Sequence, residues 1–569
     1  MINLVPVTSY LTCLILLLVS FLITTINSII IVEWEIYHVL STTIKLDLII
    51  EWKSILYSST VIFISGRVLK FSKIYIKEDP NKLRFTYTVL LFILSINLLI
   101  YIPSLLCILI GWDGLGITSF ILVTYYNNRR SLGAGIITII TNRLGDVFLL
   151  IAIISTLHRR DWLIQNKPIE NITIFQSIGI LIAAITKRAQ VPYSRWLPAA
   201  MAAPTPVSAL VHSSTLVTAG IFLLCRFHNI ILIHKPIQLA LIIRGISTTL
   251  LAGIRGIYEN DIKKIIALST LSQLGIITTC LGAKLHELAY FHIVTHAIFK
   301  ALLFIAAGCL ISINNHNQDL RLYGKYLYIS PITRSTIIIA SIALIGLPFM
   351  AGYYSKHSII NRSLVTHINY ALYILIILAI LLTSIYTIRL ILFTIIRPPA
   401  QQPLYGLSST NNTHTPLILI SLISTVAGRI IQWMLPLTPT TIRINDNLEL
   451  TTINLIIIIG MGLIIAKTRT TSTKPTYQLT NKLYTSIGFL TPTSTQFPLP
   501  MLISISIKLY KNLDQAWLEK TGALGISNLI NNLGIKLSLS TLIKPQQRLL
   551  LNRLSRSILI TITTIITLF

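Results

Sequence analysis

Long uninterrupted apolar runs constrain this chain more than any other feature of its sequence. A run of about 18 or more predominantly apolar residues can cross the hydrocarbon core of a bilayer as a helix. Such runs recur near residues 9–32, 54–76, 84–102, 104–126, 132–157, 172–190, 206–226, 236–257, 262–283, 288–313, 331–353, 368–396, 416–436, 451–467 and 548–569. The pattern predicts an all-α, polytopic membrane protein of about 15–16 transmembrane helices.

The composition excludes the usual soluble classes. Only 11% of the residues are charged, 53% are hydrophobic and the mean hydropathy is +0.76. Soluble domains carry about a quarter of charged residues. The net charge of +28 would suggest nucleic-acid binding in a soluble protein. Here most basic residues flank apolar runs, as Arg129 and Arg130 do, where they anchor helices and meet anionic headgroups. Nucleic acid is therefore not an expected partner.

Changes in composition divide the chain into five regions. Residues 1–80 are predicted to form N-terminal transmembrane helices, residues 81–400 a core, and residues 401–500 further helices with one long polar connection. In residues 501–545, apolar side chains recur at near-helical spacing among charged ones. This predicts an amphipathic helix along the interface or along neighbouring subunits, about 65 Å long unless its glycines break it. Residues 546–569 are predicted to re-enter the bilayer.

Helix-breaking residues interrupt the apolar pattern in both halves of the core. The stretch from Lys187 to Pro192 ends one run, and Gly346-Leu347-Pro348 interrupts another. Broken helices are tolerated at membrane depth only where protein or water satisfies the freed backbone groups. A pair of such breaks is typical of inverted-repeat transporters with sites near the midplane.

Only two acidic residues, Asp113 and Asp146, fall well inside apolar runs. A charge at the bilayer centre costs at least roughly 2.5–3.5 kcal/mol, which favours a function. For Asp146, a fixed salt bridge to Arg143 three residues earlier is an equal alternative. Asp113 has no basic neighbour in its own helix, so we expect Lys187 to be its partner. Because a carboxylate stabilises a buried ammonium, this pair predicts a proton switch; the alternative for Lys187 is snorkelling to the headgroups.

Histidines and lysines within the apolar runs extend the titratable set. His292, His296 and Lys300 have the spacing that places them on one face of one helix, and His212 lies in another run. Such residues are typical of proton relays. A bis-histidine haem is disfavoured because its ligands should come from different helices. Lys263, at the start of a run, is either a relay residue or an interface anchor.

The cysteines offer no ligand set for a metal or an iron–sulfur cluster. They are isolated from one another, without a Cys-x-x-Cys pair. The sequence therefore predicts no metal and no cofactor-binding site in this chain. The five are Cys13, Cys107, Cys225, Cys280 and Cys309.

Several of these segments resemble the antiporter-like subunits of respiratory complex I. The resemblance covers the chain from about residue 80 to its end, and the Pro-Thr-Pro-Val-Ser-Ala-Leu block at 204–210 is highly specific. The other segments that carry it are 111–116 (Gly-Trp-Asp-Gly-Leu-Gly), 142–146 (Asn-Arg-Leu-Gly-Asp), 196–201 (Trp-Leu-Pro-Ala-Ala-Met), 211–215, 260–264 and 292–300.

The resemblance implies a multi-pass subunit of the mitochondrial inner membrane, in the membrane arm of the complex. It implies two inverted five-helix repeats around a central polar axis. In that family the acid of the Trp-Asp-Gly motif pairs with the lysine that matches Lys187. The implied relay residues are Asp113, Lys187, His212, Lys263, His296, Lys300 and Lys356, with Arg143, Asp146 and His292 as further candidates.

The resemblance also implies what lies outside this chain. NADH, FMN, iron–sulfur clusters and ubiquinone would be bound by partner subunits. The C-terminal amphipathic helix would brace neighbouring antiporter-like subunits, and lipid, cardiolipin included, is a further expected partner.

Three residues depart from the family pattern. Asp113 stands where many members have glutamate, which shortens the reach of the carboxylate by one methylene. Arg188 places a second positive charge beside Lys187, where a small polar residue is usual. His357 follows Lys356 where the family commonly has aspartate. These departures change the charges near two relay lysines.

The sequence thus favours a proton-translocating subunit without a redox site, driven by quinone reduction in other subunits. One alternative is a subunit of a stand-alone multisubunit cation/proton antiporter, and the long C-terminal segment speaks against it. Another is a structural scaffold of the membrane arm without pumping. Such a scaffold would not need charged residues at Asp113, Lys187 and Lys300.

Overall fold

A computed structural model gives the fold of most of the chain. It describes residues 4–26, 28–39, 42–77, 79–157, 173–314, 316–324, 330–365, 370–398, 411–434, 460, 498–540 and 545–566. The chain forms two compact units, Met1–Gly488 and Phe489–Phe569.

The described part of the first unit is almost entirely helical. Its α-helices are α1 Leu4–Ile26, α2 Trp52–Tyr75, α3 Lys82–Tyr101, α4 Leu105–Val123, α5 Arg129–Leu157, α6 Ile174–Lys187, α7 Trp196–Ala199, α8 Thr205–Val207, α9 Leu216–Arg226, α10 His228–Ile233, α11 Lys235–Tyr258, α12 Ile262–Gly282, α13 His286–Ile313, α14 Pro331–Ile345, α15 Ala351–Val365, α16 Tyr370–Ile391 and α17 Asn411–Met434. Short 3₁₀ turns lie at Ala200–Ala202 and Leu320–Leu322, and π-helical segments at Ser208–Thr215 and Leu392–Ile396.

Ten helices in the described part are long and apolar enough to cross a bilayer. They lie in α1, α3, α4, α5, α8–α9, α11, α12, α13, α16 and α17, and α6 and α14 are shorter apolar helices. The polytopic all-α class is therefore confirmed. Helix α2 and the helix Pro545–Ile566 cover most of the predicted runs at 54–76 and 548–569, but neither helix is among the ten. The predicted run at 451–467 lies outside the described residues except for Gly460.

A β-hairpin stands where the sequence predicted the end of the first span. Helix α1 ends at Ile26, and β1 (Ile30–Val39) pairs antiparallel with β2 (Thr42–Ile50). The segment is rich in β-branched and aromatic residues, which favour strands. Lys45 of β2 contacts Glu33 and Glu35 of β1 at 3.0 and 3.2 Å, and these carboxylates raise the pKa of its ammonium. The predicted apolar run 9–32 was thus too long at its C-terminal end.

Both predicted helix breaks are confirmed. Helix α6 ends at Lys187, and the short elements α7 and α8 follow before the chain resumes a long helix. Helix α14 ends at Ile345 because Gly346 adopts the left-handed conformation, with φ of +92°, and α15 begins at Ala351. Glycine accepts this conformation without steric cost. The inverted relation of the two halves stays a prediction.

Helices α12 and α13 form the centre of the first unit. Almost all of their side chains are buried, including polar ones such as Gln273, His296 and Lys300. Helices α11 and α12 approach closely at a glycine pair: a Cβ on Gly275 would lie 2.8 Å from the carbonyl oxygen of Gly245. The buried polar residues therefore lie inside protein and away from lipid.

The described part of the second unit consists of five helical segments of 3 to 22 residues. They are Pro498–Leu509, a π-helical segment Tyr510–Leu518, Glu519–Thr521, Ala523–Ser540 and Pro545–Ile566. The predicted 501–545 helix is thus not continuous, because it breaks at Gly522, one of the glycines in the segment. Leu509, Leu513 and Trp517 expose about half or more of their side chains. The placement of this segment along the interface stays a prediction.

Candidate functional site

An ion-paired cluster joins the middles of α4 and α5. The Nη1 atom of Arg143 lies 3.2 Å from Oδ2 of Asp146 and 3.5 Å from Oδ1 of Asp113. The other Asp146 oxygen accepts a 2.7 Å hydrogen bond from the indole Nε1 of Trp112. The salt bridge that was one alternative for Asp146 is therefore formed. Arg143 contacts both of the acidic residues that lie inside apolar runs.

Lys187, at the end of α6, contacts this cluster through Trp112. Its side chain is wholly buried. Its Nζ donates a 2.6 Å hydrogen bond to the carbonyl oxygen of Trp112 and lies 3.8 Å from the centre of the indole ring. Among the described residues, no direct Asp113–Lys187 ion pair is formed. The expected pair is therefore absent from this conformation, because Asp113 contacts Arg143 and Lys187 donates to a backbone carbonyl. The switch between paired and parted states stays a prediction.

Arg188 is directed away from this cluster, toward α9. Its Nε donates a 3.1 Å hydrogen bond to the carbonyl oxygen of Ala184, and its side chain is wholly buried. A Cβ on Gly220 would lie 2.9 Å from Arg188 Cγ, so this glycine makes room for the arginine. Within the described ranges, Nη1 and Nη2 have no hydrogen-bond partner.

His212 lies in the π-helical segment Ser208–Thr215, where the sequence predicted a continuous helix over 206–226. The imidazole is wholly buried 6.2 Å from the ring of Trp196. Neither ring nitrogen has a hydrogen-bond partner among the described protein atoms. Single π-helical turns within longer helices are frequent at functional sites. No local sequence pattern indicates this turn, because its geometry depends on packing.

Lys263 and Lys264 have different environments. Lys263 is buried, and its Nζ donates a 3.2 Å hydrogen bond to the carbonyl oxygen of Ala203. Lys264 is partly exposed and lies 2.5 Å from Oδ2 of Asp261. Only Lys263 therefore faces the polar interior, and its role in a relay stays a prediction.

His292, His296 and Lys300 lie in one helix, α13, as predicted. The rings of His292 and His296 have centres 6.2 Å apart. His292 contacts Ser355 Oγ at 2.9 Å and Gln273 Oε1 at 3.3 Å, and Nζ of Lys300 donates to Ser269 Oγ at 2.5 Å. The His296 nitrogens are buried and have no partner among the described residues. The sequence analysis missed Ser269, Gln273 and Ser355, which come from the facing helices α12 and α15.

The end of α14 provides two of the three oxygen atoms around Lys356, and Thr383 of α16 provides the third. Its Nζ lies 3.3 Å from the carbonyl oxygen of Leu344, 3.4 Å from that of Ile345 and 3.1 Å from Thr383 Oγ1. His357 contacts the carbonyl oxygen of Gly346 through Nε2 at 3.2 Å. Both side chains are buried. The last two carbonyls of α14 thus face Lys356, and the carbonyl of Gly346 after it faces His357.

Nine of the titratable residues form two groups. Asp113, Arg143, Asp146 and Lys187 lie together at α4–α6, and a second set lies between α12, α13, α15 and α16. That second set is His292, His296, Lys300, Lys356 and His357. Within the described residues, no cluster of three or more His, Cys, Asp or Glu could hold a metal ion.

Multiple spanning helices, two broken helices and buried lysines and histidines define an antiporter-like membrane protein. A family model described as NADH:quinone oxidoreductase/Mrp antiporter, TM, matches residues 103–389. The chain is 43% identical over 507 residues to NADH-ubiquinone oxidoreductase chain 5 of Lumbricus terrestris, covering 88% of each chain. It is 37% identical over 516 residues to the chain of the same name from Anopheles gambiae, covering 89% of each. A second family model, NADH dehydrogenase subunit 5 C-terminus, matches residues 386–569.

The chain belongs to the NADH-ubiquinone oxidoreductase chain 5 family. Its fold also resembles a chain in the structure of the Mrp complex from Dietzia sp. DQ12-45-1b, with a TM-score of 0.67 and 20% identity. That match covers 98% of this chain and 60% of the other, so this chain spans about three fifths of that neighbour. The likeness shows a shared fold.

Proposed function

We propose that this chain moves protons across the mitochondrial inner membrane as a membrane-arm subunit of NADH:ubiquinone oxidoreductase. The family membership and the ten apolar helices support this function. The chain is one subunit of the H⁺-translocating enzyme and performs no redox step itself. In this proposal, quinone reduction in partner subunits drives the protons, and those subunits bind NADH, FMN, the iron–sulfur clusters and ubiquinone.

The observation that carries the proposal is a set of three buried lysines without acidic partners. Lys187, Lys300 and Lys356 are almost completely inaccessible to solvent. In the part of the chain that the structure describes, none of them lies within 4.0 Å of a carboxylate oxygen. Their ammonium nitrogens donate instead to carbonyl and hydroxyl oxygens. An uncompensated charge in a membrane interior is costly, whereas a neutral amine can keep such hydrogen bonds, so each lysine can readily exchange a proton.

The cluster at α4–α6 supplies a switch for the first lysine. Arg143 now holds Asp113, and Lys187 rests on the Trp112 carbonyl. If Arg143 moved away, Asp113 could approach Lys187 and stabilise its charged form. One unit of proton affinity on the pKa scale corresponds to about 1.36 kcal/mol, and one charge crossing 100 mV to about 2.3 kcal/mol. A change of about two units is therefore comparable to the work of crossing the membrane.

The same cluster indicates a neighbouring subunit. The side chains of Asp113 and Arg143 are 41% and 52% exposed, although both lie near the middle of spanning helices. Charged groups at this depth are not left facing lipid. A polar face of an adjacent membrane subunit would cover them, which fits membership of a multisubunit complex. Bracing of antiporter-like neighbours by residues 501–545 and binding of cardiolipin at basic helix ends such as Arg129 belong to the same proposal.

Replacing Lys187 tests the function directly. In the assembled complex, Lys187→Met should reduce proton translocation per NADH oxidised several-fold for the path through this chain. The matched control is Lys264→Met, because Lys264 is a partly exposed lysine paired with Asp261. Proton uptake into proteoliposomes measures both. An assembled Lys187→Met complex with the unmodified proton-to-electron ratio would rule out the relay through this lysine.

A further inference from the structure

A groove lies on the outside of the first unit, between α1, α3 and strand β2. It has a volume of about 690 Å³ and is lined by Leu16 and Val19 of α1 and by Leu90 and Leu94 of α3. Both helices are among the ten that can cross a bilayer. Leu94 lines the groove and is also 56% exposed, so the groove opens to the surroundings of the protein. This wall therefore faces the hydrocarbon core, and the proposed proton relay does not use it.

The groove has the length of one membrane leaflet. The α3 residues that line it run from Leu90 to Tyr101. At 1.5 Å per residue this part of the helix is about 16 Å long, roughly half of the ~30 Å hydrocarbon core. Leu48 and Ile50 of β2 also line it, and they lie just before α2 begins at Trp52. The groove therefore reaches from the hairpin end of α3 toward the middle of the bilayer.

Its polar lining residues come from the hairpin end alone. They are Asn97 and Tyr101, in the last turns of α3. Tyr101 already shares its hydroxyl with Ser58 Oγ at 2.7 Å. The Asn97 Oδ1 atom is buried and has no hydrogen-bond partner among the described residues. The oxygen and nitrogen of an amide are assigned by their surroundings, so Asn97 can present either a donor or an acceptor to the groove.

A transmembrane helix of a partner does not fit this space. A helix about 10 Å across that rises 1.5 Å per residue occupies about 120 Å³ per residue, so the groove would hold only about six residues. A spanning helix needs about 20. A single flexible acyl chain of a phospholipid needs no such width. Its carboxyl end forms an ester whose carbonyl accepts hydrogen bonds.

We propose that this groove binds one acyl chain of a phospholipid from the leaflet on the hairpin side. The chain lies along Leu16, Val19, Leu90 and Leu94, and the Asn97 amide donates a hydrogen bond to the ester carbonyl. The ester lies at the hairpin end, where the hydrocarbon core meets the headgroup region. The bound lipid fills an apolar surface that α1, α3 and the hairpin leave open.

Photolabelling of the whole complex tests the proposal. The probe is phosphatidylcholine with a diazirine in the middle of one acyl chain, and mass spectrometry locates the labelled residues. We expect labels at Leu16, Leu90 and Leu94. Leu94→Trp should fill the groove and reduce labelling of Leu16 and Leu90 at least fivefold. Leu91→Trp is the matched control, because Leu91 is 57% exposed on the same helix and does not line the groove.

The alternatives give different results. Equal labelling of Leu16 and Leu90 in both tryptophan variants would mean contact with bulk lipid only, and absence of label would mean that a protein segment covers the groove. Stronger labelling by a diazirine analogue of ubiquinone would assign the groove to quinone. Any of these outcomes overturns the proposal. Asn97→Leu should lower labelling of the groove residues about twofold or more. Unchanged labelling would show that Asn97 does not contact the ester. The readout does not depend on proton translocation.

Discussion

The two groups of buried titratable residues differ in how their charges are balanced. Around Lys187, two aspartates and an arginine form a connected network through Trp112. Around Lys300 and Lys356, the described residues include no carboxylate that forms an ion pair, and the ammonium contacts come from hydroxyl and carbonyl groups. The first group can change its state by exchanging ion-pair partners. The second can only gain or lose protons, so two positive charges there oppose each other.

This difference suggests a division of labour. In the proposed mechanism, the network at α4–α6 would respond to a change in a neighbouring subunit, because its half-exposed members reach the surface of the chain. The group at α12–α16 would accept and pass single protons. Substitutions at Ser269, Asp113 and His357 test that division, and the largest effect is expected at Ser269.

Adding an acidic residue to the second group should give Lys300 an ion-pair partner and so remove the difference in charge balance between the two groups. In Ser269→Asp the new carboxylate would replace the hydroxyl that lies 2.5 Å from Lys300 Nζ. An ion pair there would hold the lysine in its charged form, so we expect translocation per NADH to fall about tenfold for this path. Ser269→Ala serves as the control and should have a much smaller effect. If Ser269→Asp translocates normally, the lack of an acid beside Lys300 has no functional meaning.

Neutralising an acid in the first group should weaken the switch. In Asp113→Asn, Arg143 would retain only Asp146, and no carboxylate could approach Lys187 from α4. We expect translocation to drop several-fold in an assembled complex, measured as protons moved per electron. Asp113→Glu keeps the charge and lengthens the side chain, and it should preserve activity. A normal ratio in Asp113→Asn would leave Asp113 as a structural or interface residue.

A smaller change concerns the end of the second group. His357 contacts the Gly346 carbonyl next to the oxygen atoms that surround Lys356. In His357→Asp a carboxylate would stabilise the charged lysine, which would then release its proton less readily. The pH dependence of coupled turnover should therefore shift, with little loss at its optimum. His357→Gln, which keeps a neutral polar group, is the control. Identical pH profiles for the unmodified protein and both variants would show that residue 357 does not affect Lys356.

The sequence predicted the apolar helices and both helix breaks well, because long runs and Gly or Pro residues are local signals. The β-hairpin was missed because Ile29–Val32 continues an apolar run, although Glu33, Trp34 and Glu35 alternate with the period of a strand. A π-helical turn such as Ser208–Thr215 has no comparable signal.

The burial of the candidate relay residues was predicted better than their contacts. Lys187, Lys300 and Lys356 are buried, as expected for relay residues. The partner of Asp113 was wrong because Arg143 was assigned only to its own helix, and spacing along one helix cannot reveal that an arginine also reaches a second helix. Ser269 and Thr383 contact the lysines through tertiary packing alone, which a single sequence does not encode in any local pattern.

The left-handed turn at Gly346 places a partial negative charge beside Lys356 that, unlike an acidic side chain, cannot be protonated. The aligned peptide dipoles of α14 sum to about half a negative charge at its C-terminal end. That end lies against the ammonium through the carbonyls of Leu344 and Ile345. A peptide dipole cannot take up a proton, so it attracts the lysine's positive charge at every pH without competing for the proton itself. The broken helix thus acts as a fixed fractional counter-charge at this lysine.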